Sequence, residues 1–286
     1  MYGNPLMTKS GGHLRSPLVS HQRTRGARSG GARGFTCSSV GEQAQVDPFD
    51  AVRAQMPKES YDLLVANVDP GSVDAMDLLR SSIKGKEQFG DALCGYERKE
   101  GGLRTVRCLT REECKALKDF IDEMTMRWHG PNARANVHWS TRIDSVDRCP
   151  DYQINLYPSD LARIVGAEGY KRIFNLPFAL AAPQQTELLE PEHTGLKMGV
   201  FLRKYSVDTR PFIPFHVDTN SWTGNVAINA DSEYEGGNLL VVTDGKVRAA
   251  RREEGDATIH DNKIAHGVSS MVSGIRYSMI LFFDQE

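Results

Sequence analysis

The sequence predicts an α+β fold in which helices come first and a series of short strands follows. Helical spacing and capping signals are found in the first part of the chain. From Leu196 onward, short apolar segments alternate with turns rich in Gly, Asp and Asn. The predicted strands are LKMGVFLRKY, TGNVAIN, NLLVVT, DATIH, HGVSSMV and IRYSMILFF. Such a series is typical of a sandwich or a double-sheet barrel.

The clearest helix signal lies in TVRCLTREECKALKDFIDEMTMRWHGP. Thr110 and Glu113 have the spacing of a capping box, and Gly130-Pro131 is expected to end the helix. We expect the helix to pack against the sheet, with its cysteines facing the core. The apolar residues that share one helical face are Leu117, Ile121, Met124 and Trp128.

Bulk composition excludes several classes of protein. The 286 residues suffice for one domain with a small extension. The net charge of −2 gives no electrostatic reason to expect a nucleic-acid partner. No apolar run is long enough to span a bilayer, so we expect no membrane insertion. The five cysteines lack CxxC spacing, which favours a reducing, intracellular location over a zinc site or a disulfide framework.

The chain divides by composition into three segments. Residues 1–41 contain six Lys or Arg and no acidic residue, so they predict a disordered basic leader or a plastid or mitochondrial transit peptide. Without targeting, the protein would be cytoplasmic. An RNA-binding arm is less favoured, because aromatic residues for base stacking are nearly missing. Residues 42–89 predict a polar helical lead-in with an Asp-Pro-Gly turn, and residues 90–286 the main domain.

A candidate metal site is indicated by His216-Val217-Asp218 and His266. Residues two apart in an extended chain point to the same side, so His216 and Asp218 can converge, and His266 begins a later strand. Two histidines and one carboxylate form the facial triad of non-heme Fe(II) enzymes. With eight histidines in the chain, a chance HxD at the surface is the alternative, and His260 is a rival third ligand.

Arg276 lies ten residues after His266, inside GIRYSMILFF. In this strand Arg276, Ser278, Ile280 and Phe282 share one face. An arginine that alternates with core residues is costly to bury without a partner, and a bound dicarboxylate fits the guanidinium fork. A structural salt bridge or an edge-strand arginine is the alternative.

Two segments of the sequence resemble the catalytic domains of prolyl 4-hydroxylases and, more closely, of procollagen lysyl hydroxylases. Both belong to the Fe(II)/2-oxoglutarate-dependent dioxygenase superfamily. They are FLRKYSVDTRPFIPFHVDTNSWTGNVAINADSEYEGGNLLVV and GDATIHDNKIAHGVSSMVSGIRYSMILFFDQE. The similarity covers Leu196 to the C-terminus and is weaker back to the LTREEC helix. It implies a double-stranded β-helix (jelly-roll) core with flanking N-terminal helices.

The resemblance also implies roles for individual residues. His216, Asp218 and His266 match the iron ligands, and Arg276 matches the residue that binds the distal carboxylate of 2-oxoglutarate. The positions that match further cosubstrate contacts are Tyr205, Asn225 and Ser278. In the family pattern the position of His260 carries an apolar residue, which favours His266 as the third ligand.

The activity implied by the resemblance is hydroxylation of an aliphatic C–H bond in a peptidyl or free amino acid, with release of succinate and CO2. The implied cofactors are Fe(II) and 2-oxoglutarate, with ascorbate as a further candidate, and the implied partners are molecular oxygen and a small-molecule or peptide substrate. Two alternatives stay open: cyclisation or desaturation of a small metabolite, and a catalytically inactive jelly-roll binding protein. The variable loops expected to contact substrate are DTRPFIP and residues 181–194.

Overall fold

The computed structural model describes residues 47–82, 102–129, 139–140, 143–185 and 187–286. The predicted leader, the end of the predicted lead-in and its boundary at residues 89 and 90 lie outside the described residues. The same holds for Gly130-Pro131 and for the side chain of Trp128.

The lead-in forms three short helices, Asp50–Gln55 (α1), Lys58–Leu64 (α2) and Ala75–Ser82 (α3). The predicted Asp-Pro-Gly turn is a single 3-10 turn, whose Asp69 carboxylate accepts a hydrogen bond from the backbone N–H of Gly71 at 2.9 Å. The buried leucines of α2 and α3 pack against apolar side chains further along the chain. This cluster contains Leu63, Leu64, Leu78, Leu79, Phe215, Leu240, Val242 and Val247.

The predicted amphipathic helix is confirmed as Arg111–His129 (α4). It begins at the predicted capping box, in which the N–H of Thr110 donates to the Glu113 carboxylate at 2.8 Å and the N–H of Glu113 donates to Thr110 Oγ1 at 3.2 Å. Helices Pro158–Phe174 (α5) and Phe178–Ala181 (α6) follow. Gly166 interrupts α5 with a φ of +73°, which glycine adopts at little cost.

The larger sheet has seven strands in the order β1-β10-β6-β13-β4-β3-β2. All neighbouring strands of this sheet pair antiparallel, and β13 lies between β6 and β4. The strands are β1 Leu103–Arg107, β2 Trp139–Ser140, β3 Gln153–Leu156, β4 Leu196–Tyr205, β6 Trp222–Ala227, β10 Asp256–Asp261 and β13 Arg276–Gln285.

The smaller sheet has four strands in the order β5-β11-β8-β9, again antiparallel. They are β5 Ile213–His216, β8 Leu239–Thr243, β9 Lys246–Ala249 and β11 His266–Val268. A separate two-stranded ribbon pairs β7 Glu235–Gly236 with β12 Met271–Ser273. The predicted strand HGVSSMV is therefore two strands with a break between them.

The two faces of the larger sheet have different roles. One face packs beneath α4 and α5, where Tyr277, Met279 and Leu281 of β13 meet Leu117 and Ile121 of α4. Cys108 and Cys114 are buried in this core, as predicted, and burial raises the pKa of each thiol to about 12. The opposite face looks into a cavity, so the alternation predicted for β13 is confirmed.

The predicted α+β class is confirmed by this combination of helices and antiparallel sheets. Within the described ranges, no helix has both the length and the hydropathy needed to cross a bilayer.

Candidate metal centre

The two predicted histidine ligands lie side by side on neighbouring strands. Strand β11 pairs antiparallel with β5, and His266 stands directly opposite His216. Residues opposite each other in an antiparallel pair project to the same face of the sheet. The two imidazole centroids are therefore only 4.3 Å apart.

Asp218 follows the end of β5 by two residues and completes the group. One of its carboxylate oxygens lies 3.6 Å from Nε2 of His216 and the other 3.4 Å from Nε2 of His266. The candidate ligand atoms of the three residues all lie within 4.8 Å of one another. Neighbouring ligands of one octahedral ion with bonds of roughly 2.1 Å lie roughly 3 Å apart, so small side-chain shifts would close the site around a metal.

Each histidine is oriented by the backbone two residues before it. Nδ1 of His216 lies 2.8 Å from the carbonyl oxygen of Pro214, and Nδ1 of His266 lies 3.2 Å from that of Ile264. A carbonyl oxygen only accepts hydrogen bonds, so each Nδ1 carries the proton and each Nε2 keeps its lone pair for the site. Metal-ligating histidines are typically held in this way.

The electrostatics favour an anionic Asp218 carboxylate beside a neutral His266. Burial raises the pKa of Asp218, but the charges of His266, His216 and His260 and the hydroxyl of Thr223 outweigh it and hold the pKa at about 2. Thr223 Oγ1 donates to Asp218 at 2.7 Å. Burial and the neighbouring His216 lower the pKa of His266 to about 4. The donor set therefore fits a divalent cation with three further positions open.

His260 lies behind this group. Its ring centroid is 4.5 Å from that of His266, its Nδ1 bonds the carbonyl of Asp261 at 2.8 Å, and it is buried. The compact group of possible ligands contains His266 and not His260.

Arg276 begins β13, the central strand of the larger sheet, and is 1 % exposed. Its Nη1 donates to the carbonyl of Gly237 at 2.8 Å, and its Nη2 donates to Oδ1 of Asn225 at 3.3 Å. Among the residues that the structure describes, no carboxylate pairs with Arg276, and its Nε has no hydrogen-bond partner. The structure therefore provides neither the salt bridge nor the edge strand of the alternative interpretation.

The acceptor Gly237 belongs to the segment Glu235-Gly236-Gly237. Gly236 and Gly237 have φ values of +73° and +60°, and a Cβ on Gly236 would overlap the carbonyl oxygen of Ser270. Glycine is therefore required where this turn brings its carbonyl to Arg276.

A second buried arginine, Arg252, lies close to Arg276. Its Nη1 donates to Oδ1 of Asn225 at 2.7 Å, and its Nη2 donates to Asp231 at 3.1 Å. Burial and the neighbouring charge of Arg276 lower the pKa of Arg252. The Asn225 amide oxygen thus accepts hydrogen bonds from two buried guanidinium groups, and Asp231 pairs with that of Arg252 alone.

The remaining predicted cosubstrate residues surround the same place. Tyr205 stands opposite Arg276 across β4 and β13, and its ring centroid is 4.8 Å from the guanidinium carbon. Ser278 is fully buried two residues further along β13, and its hydroxyl has no hydrogen-bond partner among the described residues. An orphaned hydroxyl beside a buried cation is suited to an anionic ligand.

Tyr205 and Asn225 line one cavity of about 350 Å³ between the two sheets, whereas Arg276 and Ser278 are not part of its lining. Of the predicted substrate loops, DTRPFIP contributes Ile213, whereas no described residue of 181–194 lines the cavity. The loop at residues 143–151 lines it instead. Side chains on the cavity wall are Asp144, Asp151, Gln153, Phe201, Arg203, Tyr205, Ile213, His216, Asp218, Thr223, Asn225, Leu239, His266, Ile280 and Phe282.

Sequence reasoning missed Thr223, Arg203 and Arg252. Arg203 could have been found, since it lies two residues before Tyr205 on a predicted strand and so shares its face. Arg252 follows no periodic pattern, because it lies in the loop between β9 and β10.

No family model and no curated protein matches the chain. Solved structures are similar to it. AviO1 from Streptomyces viridochromogenes Tue57 has a TM-score of 0.47 and 14% identity, over 68% of this chain and 95% of that chain. A Pseudomonas putida prolyl-4-hydroxylase has 0.42 and 14%, over 68% and 98%. A Burkholderia pseudomallei oxidoreductase of the 2OG-Fe(II) oxygenase family has 0.42 and 11%, over 71% and 93%.

Proposed function

We propose that the chain is an iron(II)- and 2-oxoglutarate-dependent oxygenase that hydroxylates an aliphatic C–H bond of a free or peptidyl amino acid. One observation carries this proposal: His216, Asp218 and His266 meet at a cavity, and a buried arginine without a carboxylate partner, Arg276, contacts two residues of its wall, Tyr205 and Asn225. The three side chains fit a metal ion, and the arginine fits the carboxylate of an acidic ligand. The two antiparallel sheets that enclose this space support a double-stranded β-helix core.

The metal would be held by Nε2 of His216, Nε2 of His266 and the carboxylate of Asp218. When bound, Fe(II) supplies the oxygen chemistry that couples decarboxylation of 2-oxoglutarate to oxidation of the substrate. The protein keeps Asp218 ionised and His266 neutral, and the carbonyls of Pro214 and Ile264 set the direction of both rings.

The far carboxylate of 2-oxoglutarate would be bound by Arg276. Its guanidinium is fixed by Gly237 and Asn225 and covered by the Tyr205 ring, so its orientation is set before the ligand arrives. The Ser278 hydroxyl can donate to the same carboxylate. A buried carboxylate bound in this way would balance the charge that Arg276 carries in the free protein.

The overall reaction conserves atoms and electrons: 2-oxoglutarate, O2 and R–H give succinate, CO2 and R–OH. Ascorbate would serve as an accessory reductant. The apolar side chains Phe201, Ile280 and Phe282 face this cavity and would limit the access of water to the reacting groups.

The test is an anaerobic titration of the purified protein with Fe(II) and 2-oxoglutarate. A metal-to-ligand charge-transfer band is expected with the wild-type protein and should vanish in His216→Ala, because the cosubstrate chelates a metal that this variant does not hold. Succinate release in air then measures turnover.

His193→Ala is the matched control, because His193 is exposed in the 3-10 turn Pro191–His193, apart from the cavity. It should keep the band. A wild-type protein that shows no band would contradict the oxygenase and favour the inactive binding protein.

A further inference from the structure

A further arginine, Arg203, faces the cavity that contains the candidate metal ligands. It lies on β4 two residues before Tyr205, so both side chains project from the same face of the larger sheet. Arg203 is 5 % exposed, and the rings of Phe201 and Tyr205 flank its guanidinium at 5.1 and 5.9 Å. The cavity wall therefore carries a fixed positive charge, that of Arg203.

Arg203 is held in place by polar neighbours on one side. Its Nη2 donates to Oε1 of Gln153 at 2.8 Å and to Oδ2 of Asp144 at 3.2 Å. Its Nε is buried and has no hydrogen-bond partner among the described residues. The guanidinium fork is thus oriented but incompletely satisfied, which a carboxylate ligand would correct.

The acidic partner of Arg203 is shared. Arg210, which is fully buried, donates to the same Oδ2 of Asp144 at 3.0 Å and pairs with Asp147 at 2.9 Å. Burial raises the pKa of Asp144, but Arg203 and Arg210 outweigh it and lower the pKa overall, with a smaller effect from His216. Asp144 and His216 line the same cavity, so this charged cluster lies in the pocket that contains the candidate metal ligands.

The cavity wall therefore carries both positive and negative side chains beside the candidate metal ligands. Arg203 is the cation, and Asp144 and Asp151 are the acidic residues. The cavity of about 350 Å³ lies near the lower end of the range for small-molecule pockets, roughly 300–1,000 Å³. Opposite charges in a small space favour a compact ligand that carries both a carboxylate and an ammonium group.

We propose that Arg203 binds the carboxylate of the primary substrate, and that this substrate is a free amino acid whose ammonium group lies towards Asp144 and Asp151. The inference rests on the proposed function and narrows its substrate class to free amino acids. A residue inside a peptide has neither the free carboxylate nor the free ammonium group of an amino acid. Arg276 then binds a carboxylate of the cosubstrate, and Arg203 binds the carboxylate of the substrate.

The experiment compares the twenty L-amino acids with their carboxamides as stimulants of succinate release by the protein with Fe(II) and 2-oxoglutarate. At least one free acid should stimulate release, with kcat/KM roughly 10- to 100-fold above that of its carboxamide. In Arg203→Gln this acid-over-amide preference should fall to about one, because the variant cannot pair with a carboxylate. A general loss of stability would lower both rates and leave their ratio unchanged.

Two further variants keep the test decisive. Lys204→Gln changes the next residue on β4, whose ammonium group binds Asp122 at 2.7 Å on the helix-covered side; it should keep the preference. Arg203→Lys preserves a cation beside Asp144 without the planar fork, so it should keep part of the preference even if the glutamine variant does not fold.

The anaerobic charge-transfer band separates the two proposals. The band should persist in Arg203→Gln at the same 2-oxoglutarate concentration that produces it in the wild-type protein. If the wild-type protein forms no band, the proposed function fails. If the band forms but no free acid stimulates release, or carboxamides and end-blocked peptides act equally well, the free-amino-acid assignment is overturned. A band that requires far more 2-oxoglutarate in Arg203→Gln would make Arg203 a cosubstrate residue and overturn the inference too.

Discussion

The group of candidate metal ligands, called here the metal end, and the surroundings of Arg276, called the Arg276 end, are built in different ways. At the metal end, the contacts that orient the ligands are local: His216 and His266 bond carbonyls two residues before them, and Asp218 bonds Thr223 five residues later. At the other end, Arg276 depends on Gly237 and Asn225, which are 39 and 51 positions away in the chain.

The two ends also differ in the charge that they carry. The metal end carries the negative charge of an ionised Asp218 beside a neutral His266, which a bound metal cation would balance. The Arg276 end keeps two buried guanidinium groups, and Asp231 pairs with only one of them. Local backbone can orient a ligand, but a buried positive charge needs an anion, which here we expect to be the cosubstrate.

The largest expected effect is that of Arg276→Gln. Removing one member of a buried, hydrogen-bonded charge pair should raise the 2-oxoglutarate concentration at half-maximal charge-transfer absorbance by on the order of 100-fold or more. The Fe(II) concentration needed at saturating 2-oxoglutarate should stay near the wild-type value. Anaerobic titration of each component in turn measures both quantities.

Arg248→Gln is the control for this change, since Arg248 is half-exposed on β9 and pairs with Asp244 at the surface. It should leave both titrations unchanged. Unaltered 2-oxoglutarate binding in Arg276→Gln would remove Arg276 from the proposed site.

A smaller effect is expected for Thr223→Val, and it should fall on Fe(II) binding rather than on 2-oxoglutarate binding. Loss of the hydrogen bond to Asp218 should weaken Fe(II) binding by roughly 10- to 100-fold, as for other residues that orient metal ligands. At saturating Fe(II), the 2-oxoglutarate dependence should be that of the wild type.

Thr105→Val makes the same chemical change elsewhere in the larger sheet, where the Thr105 and Thr258 hydroxyls lie 3.2 Å apart. Its Fe(II) titration should match the wild type. Equal weakening in both threonine variants would show that the sheet, rather than Asp218, is the cause.

The smallest effect concerns the acid stability of the loop that contains Asp144 and Asp147. The pKa of Asp144 is lowered below its usual 3.8 in the folded state, so its stabilisation is present above 3.8 and is lost as the pH falls below that value. Burial raises the pKa of Asp147, so its contribution has the opposite sign, and stability increases as the pH falls through its folded pKa.

Urea unfolding at a series of pH values from neutral into the acid range tests this pair. The free energy of unfolding should fall less steeply with acid in Asp144→Asn than in the wild type, and more steeply in Asp147→Asn. The reverse order would contradict the assignment of the two carboxylates.

Much of the site could be predicted from local patterns. The capping box and the two faces of β13 are confirmed because a turn of helix and a two-residue strand repeat depend on neighbouring residues alone. The lead-in was different: its helices were predicted, but not that Leu63 and Leu79 would pack against the smaller sheet. The leader at residues 1–41 stays a prediction.

The sequence by itself determined which side chains share a face: Asp218 with His216, and Ser278 with Arg276. Only the tertiary structure decided which faces meet, bringing His266 opposite His216 and placing Arg252 and Arg276 on one amide oxygen. The physical reason is that side-chain direction follows from each strand's own backbone, whereas strand order depends on pairings between distant segments.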